Sequence, residues 1–317
     1  MENIKTIKEY IEIGKDRSGN NSPIFKLYYE SYGEIEAPIK IIFIAGFMSS
    51  GKNDYYKQVE YFMKQELVNK CYQIVIFDNR GSGNSGTPNK FSTFDMALDM
   101  IELMDHLGWD SAHVIGASMG GMIALELATV IPPQRIRSLT LAVTHAGHTI
   151  TPIKGTKAVT KSIFTSDPIK KSQITIDSLY SKEYLSKLSI EDPSRSNKDV
   201  LTDIFVDRLK TSKKPSLNAI MGHFKSVLTH YISETKLKYI SNQEFPIQII
   251  TGTNDHLVDP KNSFYLKSKL NPCEFTVFQG CGHAVNTERL NDFNNLIQSH
   301  INRFIPDHNI LNQYLKK

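Results

Sequence analysis

Two alternating rhythms of apolar and polar positions run along the chain. Near-continuous apolar runs occupy 39–46 (IKIIFIAG), 72–78 (YQIVIFD), 112–118 (AHVIGAS), 137–145 (RSLTLAVTH), 246–255 (PIQIITGTND) and 274–283 (EFTVFQGCGH). Runs this short, apolar on both sides of the pleat and closed by Gly, Asp or His, predict strands of a parallel sheet covered on both faces. The stretch 24–33 (IFKLYYESYG) alternates instead and predicts a half-buried antiparallel strand. Helical periodicity fills the gaps at 54–68, 92–109, 120–131 and 289–305. The second of these opens with Ser92 and Asp95 in capping-box spacing and sets Met96, Met100, Leu103 and Leu107 on one face. The third is apolar nearly all round, which predicts burial, and Pro132-Pro133 stops it.

Strand and helix in alternation predict an α/β fold: an open, mostly parallel sheet, flanked by helices and joined by right-handed crossovers. The rhythm fails between 146 and 243, where Lys, Ser and Thr dominate and only weak helical patterns such as 216–232 (SLNAIMGHFKSVLTHYI) occur. The expected division is therefore a core made of 1–145 and 244–317, with 146–243 inserted as a helical cap over the carboxyl edge of the sheet. A helical domain packed elsewhere is the alternative.

Composition narrows the class. With 317 residues, 40% hydrophobic and 22% charged, the chain can bury a sizeable core. A net charge of +4 is too small and too scattered to predict a nucleic-acid partner. Three cysteines, Cys71, Cys273 and Cys281, include no CxxC pair and form no disulfide framework, so a reducing, cytoplasmic setting is the expectation, with Cys281 a small buried filler. The N-terminal MENIKTIKEYIEIGK has no apolar signal region, and the longest apolar run, IKIIFIAGFM, is far short of a membrane span, so stable membrane insertion is not expected. Oligomeric state cannot be read from this pattern.

The chemistry is concentrated at strand ends. Ser118 lies between Gly116 and Gly120, after a predicted buried strand and before a predicted buried helix. A serine on such a turn is held in a strained backbone conformation that glycines two residues either side make room for, beside the free N–H groups of a helix start. A serine hydroxyl needs a base. Of ten histidines, His283 follows the last strand and is flanked by Gly282, which places it on a loop at the same sheet edge; His145, ending another strand, is the second choice and reads better as a pocket residue at the cap entrance. Asp255 ends the preceding strand and is the expected carboxylate partner of that histidine, while Asp259, before Pro260, reads as a turn or helix cap. For a developing oxyanion the expected donors are the backbone N–H groups of Met119 and Phe47, with Met48 behind Phe47 as a pocket residue. Neither H-E-x-x-H nor Cys/His ligand spacing occurs, so no metal or cofactor is expected.

With these residues in view, segments 24–145 and 245–305 resemble an α/β-hydrolase, which implies a mostly parallel, doubly wound sheet of the eight-stranded type flanked by helices, while the intervening cap is not recognisable. GASMGG is similar to the nucleophile elbow, TGTNDHLVDP to the acid loop and GCGHAVNTE to the histidine loop. FDNRGSGNSG (77–86) resembles the D-x-R-G-x-G-x-S loop of that family, matched by Asp78, Arg80, Gly81, Gly83 and Ser85, which the resemblance implies is structural. The order Ser118, Asp255, His283 is the family's order. One departure stands out: the oxyanion loop usually reads His-Gly-x, and here it is Ala45-Gly46-Phe47. The resemblance implies a serine hydrolase acting on a small-molecule carboxylic ester, thioester or lactone. The alternatives are an acyltransferase or C–C bond hydrolase with the same triad, and a non-catalytic binding module on the same scaffold.

Overall fold

The computed structural model describes residues 4–14, 24–65, 69–147, 149 and 152–305. Eight strands form one sheet: β1 (Thr6–Ile13), β2 (Phe25–Gly33), β3 (Ile39–Ile44), β4 (Tyr72–Phe77), β5 (Ala112–Ala117), β6 (Ile136–Ala142), β7 (Ile247–Gly252) and β8 (Glu274–Phe278). They lie in the order β1-β2-β4-β3-β5-β6-β7-β8. β1 and β2 pair antiparallel, β2 and β4 likewise, and every later pairing is parallel. This is the expected α/β architecture with one addition. β1 escapes sequence reading because only Ile11 and Ile13 of its eight residues are buried; an edge strand needs little apolar signal.

The helices are α1 (Gly51–Met63), α2 (Thr93–His106), α3 (Met119–Val130), α4 (Ile153–Phe164), α5 (Pro168–Leu179), α6 (Lys182–Ser186), α7 (Asn197–Thr211), α8 (Leu217–Thr229), α9 (Glu234–Ser241), α10 (Lys261–Leu270), α11 (Val285–Glu288) and α12 (Leu290–Arg303). The helix expected over 54–68 begins earlier, where Ser50 caps it by accepting from the Asn53 N–H; residues 66–68 lie outside the described residues.

Period-two alternation of the strands builds two cores, one on each face. β3 sends Ile42 and Ile44 to one face and Ile41 and Phe43 to the other. The first face is covered by α2 and α3 through Met96, Met100, Leu103, Ile123 and Leu127, and the second by α1 and α12 through Tyr55, Phe62, Phe293 and Ile297. The expected strands overshoot their observed ends, as in 246–255 against Ile247–Gly252, because the residues beyond the last ladder bond fold back as loops at the carboxyl edge.

Between β6 and β7 the chain is helical, from α4 to α9. Entry and exit are tied together by a bridge between Gly147 and Tyr231 and by the Ile232 N–H donating to the Ala146 carbonyl at 2.8 Å. Gly147 has φ +96°, and a Cβ there would stand 2.1 Å from the His230 carbonyl, so glycine is required at this crossing. Within the insertion Ile176, Tyr180, Leu185 and Leu201 form a small apolar cluster of their own, whereas Leu237 and Ile240 of α9 join the main core.

Candidate active site

Ser118 stands between β5 and α3 with φ 56° and ψ −123°, a backbone conformation that L-residues avoid. It is held there from several directions. Its N–H donates to the Ala142 carbonyl at 2.9 Å, and its own carbonyl accepts from the Thr144 hydroxyl at 2.7 Å and from the Gly121 N–H at 3.0 Å. A Cβ on Gly116 would lie 2.3 Å from the Gly120 carbonyl oxygen, and one on Gly120 would lie 2.0 Å from that of Ile44, so neither glycine can carry a side chain. The Ser118 side chain makes no capping bond to α3, which leaves the hydroxyl half-exposed above the sheet. Strain of this kind, about 1–3 kcal/mol, persists where surrounding structure over-determines it.

Asp255 and His283 are brought together from the loops after β7 and β8. The His283 Nδ1 lies 2.7 Å from Asp255 Oδ2, and both side chains are buried. The other carboxylate oxygen, Oδ1, accepts from the Leu257 N–H at 2.8 Å and the Val258 N–H at 2.9 Å, which fixes the carboxylate plane. The two loops are laced by the Asn254 N–H donating to the Cys281 carbonyl at 2.9 Å. Their approach needs Gly252, where a Cβ would stand 2.5 Å from that same carbonyl. Asp259, the competing carboxylate, accepts from the Lys261 N–H at 2.9 Å at the start of α10 instead. No hydrogen bond joins the Ser118 hydroxyl to His283 among the described residues; without substrate such bonds are commonly long.

The loop after β3 runs beside the serine. A Cβ on Gly46 would lie 3.6 Å from the Ser118 Cβ and 3.6 Å from Asp54 Oδ2. Asp54, in the first turn of α1, holds this loop. Its Oδ2 accepts from the Gly46 N–H at 2.8 Å, and its Oδ1 accepts from the Ser49 hydroxyl. Burial pushes the Asp54 carboxyl above its ordinary range, opposed by those two bonds and by the charges of Arg208 and His283, so Asp54 also lies within electrostatic reach of the histidine. The Ala45 carbonyl is held by the Asn79 amide at 3.0 Å. Sequence reading missed Asp54; its signal was an acidic residue in the first helical turn after the glycine loop.

Met119 opens α3, so its N–H has no partner within the helix, and its side chain is wholly buried. Phe47 is half-buried and its ring meets Phe224 of α8 at 5.0 Å. Met48, also half-buried, has φ 55° and gives its N–H to His223 Nδ1 at 3.3 Å. His145 is buried, its Nδ1 accepting from the Gly147 N–H at 2.9 Å and its ring 5.8 Å from that of His230. Cys281 is buried, and burial pushes its thiol up to about 12.

The D-x-R-G-x-G-x-S loop braces this edge. Asp78 accepts from the Gly51 N–H at 2.9 Å and the Asn84 N–H at 2.8 Å, and burial raises its carboxyl to about 6. Arg80 is buried in a two-point pair with Asp99 at 2.6 and 2.7 Å, and its Nη1 donates to the Lys90 carbonyl at 2.6 Å.

The helical insertion touches each of these loops. A Cβ on Gly155 of α4 would meet the His256 carbonyl at 2.1 Å, beside Asp255. One on Gly282 would meet the Leu179 carbonyl at 2.6 Å, beside His283, where the Ala284 N–H also donates to Leu179 at 3.0 Å. Glu288 accepts from the Ser181 N–H at 3.0 Å and the Gly282 N–H at 3.0 Å. A serine held at a helix start, an imidazole oriented by a carboxylate, and a backbone N–H without a helical partner now stand at one sheet edge.

Comparison with known proteins agrees with this geometry at the level of family. The family described as alpha/beta hydrolase fold matches residues 40–290. The chain is 36% identical over 116 residues to a protein of Azorhizobium caulinodans named as a candidate carbamate hydrolase, RutD, covering 36% of this chain and 40% of that protein. It is 32% identical over 124 residues to a proline iminopeptidase of Clostridioides difficile, covering 38% of this chain and 40% of that one. The match thus spans about two fifths of the length of these relatives. Among solved structures, a serine hydrolase of Cycloclasticus zankles is similar at TM-score 0.73 and 17% identity, covering 96% of this chain and 100% of that one. A 2-hydroxy-6-oxo-6-phenylhexa-2,4-dienoate hydrolase of Rhodococcus sp. strain RHA1 is similar at TM-score 0.71 and 19% identity, covering 94% and 99%.

Proposed function

We propose that this chain, which belongs to the alpha/beta hydrolase fold family, is a serine hydrolase that cleaves a carboxylic ester, thioester or lactone through an acyl-enzyme on Ser118. The observation that carries the reading is the buried His283–Asp255 pair at 2.7 Å, on the same sheet edge as a serine held at positive φ at a helix start. In this reading His283 Nε2 takes the Ser118 proton as Oγ attacks the substrate carbonyl. Asp255 holds the Nδ1–H tautomer and stabilises the imidazolium that forms. The Phe47 and Met119 N–H groups receive the oxyanion, each such donor being worth about a hundredfold or more in rate. His283 then protonates the leaving group, and a water activated by the same imidazole releases the acid.

Helices α4 to α8 serve as the cap in this proposal, and α9, buried against the core, belongs to the scaffold rather than to the expected 146–243 cap. His145 is assigned to the hinge between them, since its ring is packed against His230. The acyl group is apolar. Leu217, Met221 and Leu228 of α8, 75%, 60% and 78% exposed, share a helix face with Phe224, which leads to Phe47. Met48, next to Phe47 in the chain, is assigned to the same wall.

Labelling with a fluorophosphonate and turnover of p-nitrophenyl esters of increasing chain length test the proposal. Both are expected in the wild type and both lost in Ser118→Ala; a Ser118→Ala protein that keeps them refutes the reading. A competing alcohol or thiol in the assay separates hydrolysis from acyl transfer by its product.

A further inference from the structure

We infer that His223, carried by the helical insertion, is a positioning residue for the oxyanion loop, so that the loop keeps its working shape only while α8 is docked on the core. The inference rests on the reading of Phe47 as an oxyanion donor. Its starting point is Met48. This residue follows Phe47 directly and sits at φ 55°, a conformation a methionine does not hold unaided. Its backbone N–H is taken by His223 Nδ1 at 3.3 Å, from a residue 175 positions later in the chain.

The bond partners dictate the state of the ring. A backbone N–H only donates, so Nδ1 must be the bare, accepting nitrogen. The Arg80 carbonyl only accepts, and it lies 2.9 Å from Nε2, so Nε2 must carry the proton. One neutral tautomer satisfies both, and complete burial favours that neutral form, pushing the imidazole down to about 4. The ring is also clasped by aromatic neighbours, Phe47 at 5.8 Å and Phe91 at 5.9 Å.

Both ends of the strut are anchored. Arg80 is fixed through its two-point pair with Asp99. α8 sits so close to the core that a Cβ on Gly222 would stand 2.4 Å from the Phe91 ring. His223 therefore spans from a rigid buried arginine loop to a strained backbone amide next to the proposed oxyanion donor. Undocking α8 would remove the acceptor, and the Phe47–Met48 turn would relax away from the serine. Asp54 pins the loop at Gly46 from within the core; His223 pins the next turn from the insertion.

Three variants test this on the full chain. His223→Ala is expected to lower kcat for a p-nitrophenyl ester, and the rate of fluorophosphonate labelling of Ser118, by about 10–100-fold, with KM changed by less than about threefold. His223→Asn places a side-chain oxygen where Nδ1 stood and should recover most of that loss. His223→Gln reaches toward the Arg80 carbonyl but offers no acceptor at the Nδ1 position, and should recover little. The inference is overturned if folded His223→Ala labels at the wild-type rate, if only KM rises, or if Gln rescues as well as Asn. Should His223→Ala fail to fold, the Asn–Gln comparison decides alone. Absence of labelling in the wild type would instead sink the serine-hydrolase reading itself.

Discussion

The sheet core and the helical insertion are held by different physics. In the core, strands such as β4 are buried along their whole length, and both faces of the sheet are sealed by apolar helices. The insertion has only a small apolar cluster around Ile176 and Tyr180, and several of its large apolar side chains face outward. It is attached to the core through backbone carbonyls met by glycines, through Glu288, through buried histidines, and through a small aromatic contact of α8 with Phe47 and Phe91. Apolar burial stabilises in bulk and tolerates no rearrangement, since packed interiors resist strain. Polar docking is worth about a kilocalorie per bond net and depends on protonation and on each partner's place. The expectation from this contrast is a rigid frame for the serine in the core, and an insertion that loosens before the core does.

The largest test of this contrast concerns chemistry supplied by the core. Asp255→Asn should leave the fold intact and lower turnover by about 10⁴-fold, because the amide favours the wrong imidazole tautomer. Ester turnover beside a thermal melt checks it. If insertion contacts rather than the Asp255–His283 pair organised the site, the loss would be small.

Next in size is one steric insult placed in both regions. Gly120→Ala drives a Cβ to 2.0 Å from the Ile44 carbonyl within the sheet, and Gly155→Ala drives one to 2.1 Å from the His256 carbonyl at the insertion contact. Neither neighbour is a flexible side chain. The core variant should lose about 3 kcal/mol or more, at the upper end of overpacking costs, and express poorly. The insertion variant should stay folded, lose roughly 1 kcal/mol by α4 lifting away, and show reduced kcat. Chemical denaturation of both, with equal losses, would erase the distinction.

Acid should separate the regions as well. Burial lowers His145 and His223 to about 4 and His230 to about 3, all at the insertion's base or its docking face; His113, lowered to about 3, lies in β5. Below about pH 6.5 the unfolded chain binds a proton at each of these sites that the folded chain refuses, so stability falls as pH drops from about 6.5 toward about 4. Asp78, raised to about 6, works the other way: the folded core binds its proton first, which offsets the burden of His113. At the insertion the three histidines are opposed by Glu126, raised by burial and facing His230 and Lys236, and by Asp54, raised by burial and within electrostatic reach of Arg208 in α7. Between pH 7 and 5 the insertion should become protease-sensitive, with ester turnover falling, before far-ultraviolet circular dichroism of the sheet and its helices changes.

The smallest effect lies on the outer face of α8. Leu217→Ser, Met221→Ser and Leu228→Ser remove exposed apolar area, so each should alter stability by less than about 0.5 kcal/mol. KM for long-chain esters should rise a few-fold while short-chain esters are unaffected. Uniform behaviour across chain lengths would detach that stripe from substrate binding.

Much of this was legible in order of appearance. The buried strands declared themselves because a parallel sheet covered on both faces needs continuous apolar runs, and β3, β4, β5, β6 and β7 obey that demand. Ser118 stood out because its turn needs glycines at fixed offsets, a local constraint written locally. Asp255 and His283 were found as strand-end residues, since topology alone brings strand ends to one edge. β1 stayed hidden, its pairing with β2 being a property of an edge and not of its composition. Asp54 and His223 stayed hidden for another reason. Each acts on a backbone amide, and a backbone amide leaves no trace in the sequence of what will bind it.

By itself, then, the sequence determined the layered α/β architecture, the strand-to-helix turn at Ser118 and the placing of two titratable residues at later strand ends. Periodicity and glycine spacing are short-range constraints that every compact arrangement of the chain must respect. Only the tertiary structure decided what supports the loop where Ala45 replaces a histidine, and how the insertion grips the core. Those outcomes depend on surfaces meeting across long stretches of chain. There, a carboxylate from α1 and an imidazole from α8 reach the same few residues, from opposite sides, without any pattern that spacing alone could reveal.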